Sequence, residues 1–194
     1  MIDQLGLFGA GEDLPDGFRY QPEVITRAEE SALVGEIRAL PLREFQFHGY
    51  VGKRRVVSFG WRYDFSDRAL HQANDIPDFL RSVREKAALF AGVAPNEIVH
   101  ALVTEYDVGA AIGWHRDKDV FDKVIGISLL SACPFRFRRD REDGGWDRIT
   151  VTAEPRSAYL LAGESREVWE HSIPPVDTLR YSITFRTFRA SSIP

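Results

Sequence analysis

The sequence predicts a mainly β protein with flanking helices, built as a β-sandwich or jelly roll. Three observations support this prediction. Two segments with helical periodicity come first, seven or more short segments of β character follow from residue 98, and glycines and prolines separate those segments. Because the helices precede the strands and do not alternate with them, a parallel α/β fold is disfavoured.

The first helix is expected to begin after Thr26. Thr26 and Glu29 have the spacing of a capping box, in which each side chain accepts a hydrogen bond from the backbone N–H of the other residue. Pro41 marks the end of the helix, because the residue before a proline disfavours the helical conformation. One apolar stripe runs between these limits and consists of Leu33, Ile37 and Leu40.

The second helix is expected to begin near Pro77 and to stop at Gly92. Proline is tolerated in the first turn of a helix because its missing N–H would have no partner there. Glycine commonly follows the last helical residue. The apolar residues between them recur every three or four positions and are Leu80, Val83, Ala87 and Phe90.

An extended region separates the two helices, and strands dominate the second half of the chain. Phe45 and Phe47 alternate with polar residues, and a turn is expected at Gly52-Lys53. Beyond residue 97 the predicted strands cover 98–106, 124–131, 134–139, 147–152, 157–162, 167–173 and 179–188.

The expected organisation is one domain with an N-terminal arm. The 194 residues suit a single domain with a core of its own. Residues 1–20 are rich in Gly and Asp and are expected to form a loosely ordered arm. Residues 21–194 form the domain, in which 21–97 supply the helices and a substrate-facing extension and 98–190 supply the jelly-roll core.

Composition excludes several classes of protein. The chain is 44% hydrophobic and 28% charged, which is typical of a globular protein, and no apolar run approaches the roughly 20 residues that a membrane span requires. The N-terminus lacks the order of a signal peptide. Cys133 is the only cysteine, so intramolecular disulfides and a thiolate zinc cage are excluded. We therefore expect a cytoplasmic monomer without a membrane partner.

The first chemical signal is the segment Trp114-His115-Arg116-Asp117. On an extended segment, His115 and Asp117 point to the same side and can offer an imidazole nitrogen and a carboxylate oxygen to one ion. His171 is the third candidate, and two His with one carboxylate form the facial triad of non-haem Fe(II) oxygenases. His-x-Asp alone is weak evidence, since a loop histidine and a solvated aspartate give the same pattern.

The C-terminal strand strengthens this interpretation. Alternation over residues 180–186 places Arg180, Ser182, Thr184 and Arg186 on one face. Two inward-facing arginines are costly unless each meets an anion, and a dicarboxylic acid co-substrate would supply one at either end. The alternatives are that Arg180 or Arg186 pairs with a protein acid, or that this face is solvated.

Together these segments resemble the AlkB-like family of Fe(II)- and 2-oxoglutarate-dependent dioxygenases, from about residue 45 to 188. Residues 115–119 look like the family's His-x-Asp-x-Asp segment, and residues 180–186 look like its closing Arg-x-Asn-x-Thr-Phe-Arg strand. The resemblance implies a double-stranded β-helix core. It also implies that Fe(II), 2-oxoglutarate and O2 are the cofactors and co-substrates.

The resemblance further assigns site residues. It implies that the metal ligands are His115, Asp117 and His171. The residues that it implies for 2-oxoglutarate are Tyr106, Thr104, Arg180, Ser182 and Arg186. Thr104 and Ser182 stand where the family has Asn, and their hydroxyls donate hydrogen bonds over a shorter reach.

The activity that the resemblance implies is oxidative demethylation of N-alkylated bases in DNA or RNA, with release of formaldehyde, succinate and CO2. Such enzymes clamp a base that is taken out of the stack. His115 would form one wall, and Phe59, Trp61 or Tyr63 the other, unless Trp61 packs in the core. Asp119 stands where the family has an acid that accepts a hydrogen bond from a base, although a solvated loop acid is the alternative.

Arginine accounts for most of the positive charge, with 21 Arg and 4 Lys against 29 acids. One expected phosphate-binding patch is Lys53-Arg54-Arg55, so Arg54 and Arg55 are substrate candidates. A second comprises Arg138 with its neighbours Arg136, Arg139 and Arg141. The alternative interpretation is that these basic segments are solvated surface and bind no phosphate.

Two other functions stay open at this point. The formal net charge of −4 disfavours binding of nucleic acid by bulk charge, so a dioxygenase acting on a protein side chain or a small molecule is the first alternative. An inactive jelly-roll binding module is the second. His48, His71 and His100 receive no role.

Overall fold

The computed structural model describes residues 14–192 with gaps at 48–49, 65–68 and 73. Its strands, numbered in chain order, form two antiparallel sheets. The large sheet has the order β1 (Arg19–Gln21), β10 (Ala158–Leu161), β7 (Phe121–Leu129), β12 (Arg180–Phe188), β5 (Ile98–Tyr106), β3 (Tyr50–Asp64) and β2 (Arg43–Phe47), with β4 (Ala69–Gln72) paired to β3. The small sheet has the order β6 (Ile112–His115), β11 (Glu170–Ile173), β8 (Cys133–Asp140) and β9 (Trp146–Ala153). The predicted mainly β jelly roll with flanking helices is confirmed.

Two helices and one short helical segment accompany the strands: α1 (Arg27–Arg38), α2 (Arg81–Ala91) and α3 (Glu164–Glu167). The predicted capping box begins α1, where the Thr26 backbone N–H donates to Glu29 at 2.7 Å and the Glu29 N–H donates back to the Thr26 hydroxyl at 3.2 Å. A short 3₁₀ turn at 78–80 follows Pro77 and leads into α2, which ends at Gly92 with φ +66°. None of the described helices is long and apolar enough to cross a membrane.

Strand β12 lies at the centre of the large sheet. It pairs with β5 on one side and β7 on the other. Tyr181, Ile183 and Phe185 are buried in a cluster with residues of α1 and α2. The predicted alternation along this strand is therefore confirmed, and it leaves Arg180 and Arg186 on the face opposite the helices.

A second core cluster joins the two sheets. Phe135 and Phe137 of β8 pack there with their rings 5.1 Å apart, and Tyr159 of the large sheet lies 4.6 Å from Phe135. This aromatic layer supports one wall of the cavity described below.

The expected boundary at residue 20 is wrong. Residues 19–21 form β1, which pairs with β10 at the edge of the large sheet. Phe18 and Tyr20 are buried in the second core cluster, and the Tyr20 hydroxyl accepts a hydrogen bond from the Glu154 backbone. The aromatic side chains fill the edge of the interior, so this end of the expected arm belongs to the folded body.

The strand predictions need three further corrections. The turn expected at Gly52-Lys53 is wrong, because β3 runs through both residues and Phe47 pairs with Tyr50. The strand expected at 167–173 begins only at residue 170, after α3. Residues 112–115 form β6, a four-residue strand too short for periodicity to reveal.

Gly60 changes the direction of β3 near one end of the large sheet. Its φ is +77°, and a β-carbon there would overlap the Val99 carbonyl oxygen of the neighbouring strand. Only glycine tolerates both conditions. The bend precedes Trp61, whose ring contacts Phe188 at 6.0 Å between centroids in an edge-to-face arrangement.

The variant Gly60→Ala should lower the free energy of unfolding by about 1–3 kcal/mol, because alanine is strained at this φ and collides with backbone. Urea denaturation followed by circular dichroism measures this change. The matched control is Gly35→Ala in the middle of α1, where a β-carbon meets nothing within 4 Å. The control substitution should raise the free energy of unfolding by roughly 0.5–1 kcal/mol. A Gly60→Ala protein as stable as the wild type would contradict the account.

Candidate metal centre

Two neighbouring side chains and a third that is far away in sequence meet between the sheets. His115 ends β6, Asp117 lies in the loop that follows, and His171 lies on β11 directly opposite His115 in the strand register. One ligand atom from each residue lies within 4.8 Å of the others. The centroids of the two imidazole rings are 4.3 Å apart. The structure therefore brings together the three residues that the sequence singled out.

Hydrogen bonding fixes the form of His115. Its Nδ1 lies 2.9 Å from the Gly113 carbonyl oxygen, which can only accept a hydrogen bond, so Nδ1 carries the proton. Burial lowers the pKa of His115, so the ring is neutral and the lone pair is at Nε2. A neutral imidazole with a free nitrogen is the form that binds metal.

His171 is also held in the neutral form. Burial lowers its pKa to about 3, with His115 adding to the effect. Its Nε2 lies 3.6 Å from a carboxylate oxygen of Asp117. Its buried Nδ1 has no hydrogen-bond partner among the described residues.

Asp117 is kept ionised by its neighbours. Burial opposes ionisation of this side chain, which is 7% exposed, but Arg186 and then His171 and His115 lower its pKa below the usual range. Arg186 Nε donates to Asp117 Oδ1 at 2.7 Å, and Oδ2 faces His171. The carboxylate is therefore held in the charged form that a metal ion requires.

The donor set fits an octahedral divalent metal. Two neutral imidazoles and one carboxylate converge on one point and leave the other positions to exogenous ligands, which is the arrangement of non-haem Fe(II) oxygenases. The buried Nδ1 of His171 has no hydrogen-bond partner among the described residues. The protein's own hydrogen bonds therefore do not explain the orientation of this ring.

A cavity of about 530 Å³ opens beside this cluster, a size typical of small-ligand sites. Both sheets line it. Every second residue of β5 faces it, so Thr104 and Tyr106 lie on the wall as the sequence analysis expected of co-substrate residues. Ser182 of β12 is buried next to Thr104 in the strand register.

Arg180 is a buried cation without an acidic partner in the described chain. It is fully buried, donates to the Ser128 hydroxyl at 3.1 Å and lies over the Tyr106 ring at 4.8 Å. No described group accepts a hydrogen bond from its Nε or Nη1. A buried guanidinium with unused donors indicates a missing anion, as a co-substrate carboxylate would supply.

Arg186 has a different partner. Its anion is the Asp117 carboxylate, so the pairing with a protein acid that the sequence left open is the one observed. Its Nη1 also lies 3.1 Å from His100 Nδ1. A direct contact of Arg186 with 2-oxoglutarate stays a prediction.

The basic segment at residues 53–55 is split by strand alternation. Arg54 faces the cavity and stacks on the Phe45 ring at 4.0 Å. Arg55 points away and pairs with Glu105 at 2.7 Å. The expected single patch is therefore wrong in geometry, and Arg54 is the member that lies on the cavity wall.

Protein groups engage the arginines of β8 and also Arg141, which follows this strand. Arg138 pairs with Glu170 at 2.6 Å and stacks on Trp146 at 3.9 Å. Arg139 and Arg141 pair with acids of their own hairpin, at 2.9 Å and 2.6 Å. Arg136, the fourth member of the expected patch, donates to the Ser172 hydroxyl at 3.1 Å. Acids therefore pair with three of the four arginines, and the placement gives no support to phosphate binding by Arg138.

The remaining predicted substrate residues lie in different places. Asp119 is exposed and borders a shallow surface depression with Arg189, outside the described wall of the cavity. Trp61 packs on Phe188. Phe59 is buried against the helices. The Tyr63 side chain lies outside the described part of the structure, as does His48.

Two side chains near the site were missed. Arg166 is buried and donates to the carbonyl groups of Lys118 and Phe121, which holds the loop after Asp117. No sequence pattern marks it. His100 lines the cavity together with Thr104 and Tyr106. Alternate residues of a strand face the same side, so the alternation along β5 could have identified it.

A jelly roll with two His and one carboxylate beside a cavity is the arrangement of metal-dependent oxygenases. The family model of the 2OG-Fe(II) oxygenase superfamily matches residues 19–186. The chain belongs to this superfamily, and its relatives make it AlkB-like. It is an oxidoreductase, a dioxygenase that uses Fe(II), 2-oxoglutarate and O2.

Known proteins resemble the chain along most of its length. It is 28% identical to an Alkylated DNA repair protein ALKBH8 homolog of Arabidopsis thaliana, over 88% of this chain and 55% of that protein. It is 27% identical to the tRNA (carboxymethyluridine(34)-5-O)-methyltransferase ALKBH8 of Mus musculus, over 90% of this chain and 27% of that protein. The chain thus spans about half or less of these relatives. The structure of OsALKBH1 shares the fold, with a TM-score of 0.65 and 17% identity over 91% of this chain and 99% of that one.

Metal-free protein should lose stability as the pH falls from about 6.5 towards about 3. In this window the unfolded chain binds a proton at His171 that the folded protein excludes, so the free energy of unfolding falls by about 1.4 kcal/mol per pH unit from this residue. Urea denaturation across this pH range should give a shallower dependence for His171→Asn. Equal pH dependences in wild type and variant would contradict the burial of a neutral His171.

Proposed function

We propose that this dioxygenase removes methyl groups from ring nitrogens of bases in DNA or RNA. The observation that carries the proposal is the cluster of His115, Asp117 and His171 on a cavity that also receives the guanidinium of Arg54. The names of the two curated relatives support a nucleic-acid substrate, since one names alkylated DNA and the other names tRNA.

In this proposal His115 Nε2, an imidazole nitrogen of His171 and the Asp117 carboxylate hold Fe(II). The bound metal supplies oxidation of a C–H bond by O2, coupled to conversion of 2-oxoglutarate to succinate and CO2. When the oxidised carbon is a methyl group on nitrogen, the hydroxymethyl product releases formaldehyde and leaves N–H. Arg186 keeps Asp117 ionised throughout.

Arg180 and Tyr106 hold the distal carboxylate of 2-oxoglutarate in this proposal. The Nε and Nη1 groups of Arg180 have no hydrogen-bond partner among the described residues, so they can donate two charge-assisted hydrogen bonds to this carboxylate. Thr104 lies on the wall beside Tyr106, and Ser182 is its neighbour on β12. The two hydroxyls donate hydrogen bonds over a shorter reach than the Asn residues of the family pattern.

Arg54 faces the substrate in this proposal. Its stem and guanidinium stack on Phe45, which orients the charge on the cavity wall, where a phosphate of the substrate nucleotide would neutralise it. Trp61 extends the aromatic surface beyond Phe121 and Phe188 and is the candidate for stacking on the base.

A specific observation favours the first alternative, which is the same chemistry on a small molecule or a protein side chain. The acids that pair with Arg138, Arg139 and Arg141 reduce the positive charge that this hairpin can offer to a polyanion. Oxidation by the loaded enzyme should therefore be compared on single-stranded oligonucleotides carrying one N-methylated base and on N-methylated peptides. Methyl loss measured by mass spectrometry from the oligonucleotides only supports the proposal, and methyl loss from the peptides only contradicts it.

The variant Arg180→Lys should raise the KM for 2-oxoglutarate about 10–100-fold, because lysine cannot reproduce two charged hydrogen bonds in a fixed plane. Succinate formation without substrate measures this constant, and a thermal melt establishes that the variant is folded. A folded Arg180→Lys protein with an unchanged KM for 2-oxoglutarate would show that the arginine is structural.

Binding of a methylated single-stranded oligonucleotide should weaken as salt rises, and the log–log slope of the binding constant should be about −0.7 for each phosphate neutralised. Arg54→Gln should reduce the magnitude of this slope by about 0.7, measured by fluorescence anisotropy without O2. Arg81→Gln is the matched control, because Arg81 is exposed on α2 and pairs with Asp78. An unchanged slope for Arg54→Gln, or an equal reduction in the control, would exclude a phosphate contact by Arg54.

A further inference from the structure

His100 lies at the end of the cavity next to Arg186. In the register of the large sheet it pairs with Arg186 of β12 on one side and with Gly60 of β3 on the other. Its side chain is 5% exposed and lines the cavity. It is not one of the three metal-ligand candidates, and the proposed function gives it no role.

The contact with Arg186 fixes the tautomer of His100. A guanidinium only donates hydrogen bonds, so His100 Nδ1, 3.1 Å from Arg186 Nη1, must be the acceptor. An accepting Nδ1 carries no proton, and the proton of the neutral ring is then on Nε2. Every molecule with this contact intact therefore presents an N–H donor at Nε2.

Among the described residues, the one hydrogen-bond contact of the His100 ring is that of Nδ1 with Arg186, so Nε2 is unused. The ring also packs against Phe121, with centroids 5.3 Å apart. Phe121 and His100 both line the cavity, so His100 is the polar neighbour of an aromatic ring on that wall. A base lying against Phe121 would bring its edge to His100 Nε2.

The polar character of the cavity wall favours bases with carbonyl groups. Asp117 is the one carboxylate among the described lining residues, and Arg186 already binds it. Asp119, the predicted acceptor for a base amino group, lies outside that wall. The wall therefore offers the base edge a donor at His100 and lacks an uncommitted carboxylate acceptor.

We propose that His100 is a specificity-determining residue that donates a hydrogen bond from Nε2 to a carbonyl oxygen beside the methylated nitrogen of the base. The favoured substrates are then bases such as 3-methylthymine, in which carbonyl groups flank the methylated nitrogen. In 1-methyladenine an amino group and a C–H flank that nitrogen. This inference rests on the proposed function and specifies its substrate class.

The test compares two single-stranded oligonucleotides of one sequence, carrying either 3-methylthymine or 1-methyladenine. We expect the wild type to have the higher kcat/KM on 3-methylthymine. The variant His100→Phe keeps a planar ring and removes the donor, so it should lower the ratio of the two kcat/KM values about tenfold, through the KM for 3-methylthymine. His100→Gln keeps an acceptor and a donor and should restore part of the ratio.

The control is His71→Phe, the same substitution at an exposed histidine of β4, which should leave the ratio unchanged. A second readout needs no turnover: ¹⁵N NMR of the metal-free protein should show the His100 ring protonated at Nε2 only. A ring protonated at Nδ1 would overturn the inference. This readout also applies if His100→Phe does not fold.

The outcomes separate the two proposals. If His100→Phe lowers both kcat/KM values equally, His100 only supports Arg186, and the inference fails while the demethylase function stands. If the wild type consumes 2-oxoglutarate but demethylates neither oligonucleotide, the proposed function fails and the inference fails with it. A selective loss on 3-methylthymine with a conserved fold supports both.

Discussion

The buried ion pair between Asp117 and Arg186 is the interaction on which the rest of the site depends. A carboxylate at this depth is stable in its charged form only if a cation and hydrogen bonds compensate for the lost water. Arg186 provides both at 2.7 Å, and the same guanidinium fixes the tautomer of His100. One arginine therefore prepares a metal ligand on one side and a donor to the substrate on the other, before any ligand binds.

The geometry of that pair depends in turn on strand β12. Pairing with both β5 and β7 fixes its register, and a slip by one residue would exchange its two faces. The apolar face, with Tyr181, Ile183 and Phe185, is buried against the helices. The burial of this face therefore specifies where Arg180 and Arg186 point, so the hydrophobic core and the chemistry share one constraint.

Local rules predicted much of this structure, and tertiary partners account for the rest. The helix cap at Thr26, most strands and the metal cluster follow from periodicity and motif spacing, which are properties of short segments. The engagement of Arg138 by Glu170 could not be predicted, because it depends on which strand lies next to β8. The role of His100 was also hidden, since it requires the register that places it beside Arg186.

The coupling of the two half-reactions shows whether the metal, the co-substrate and the base meet in one cavity. Enzyme loaded with Fe(II) without oxygen is mixed with 2-oxoglutarate and a methylated single-stranded oligonucleotide, and O2 is then admitted for a single turnover. We expect equal amounts of succinate, formaldehyde and demethylated base, because one cavity holds the metal, the co-substrate and the base. Formation of succinate with the oligonucleotide still fully methylated and no formaldehyde released would contradict it.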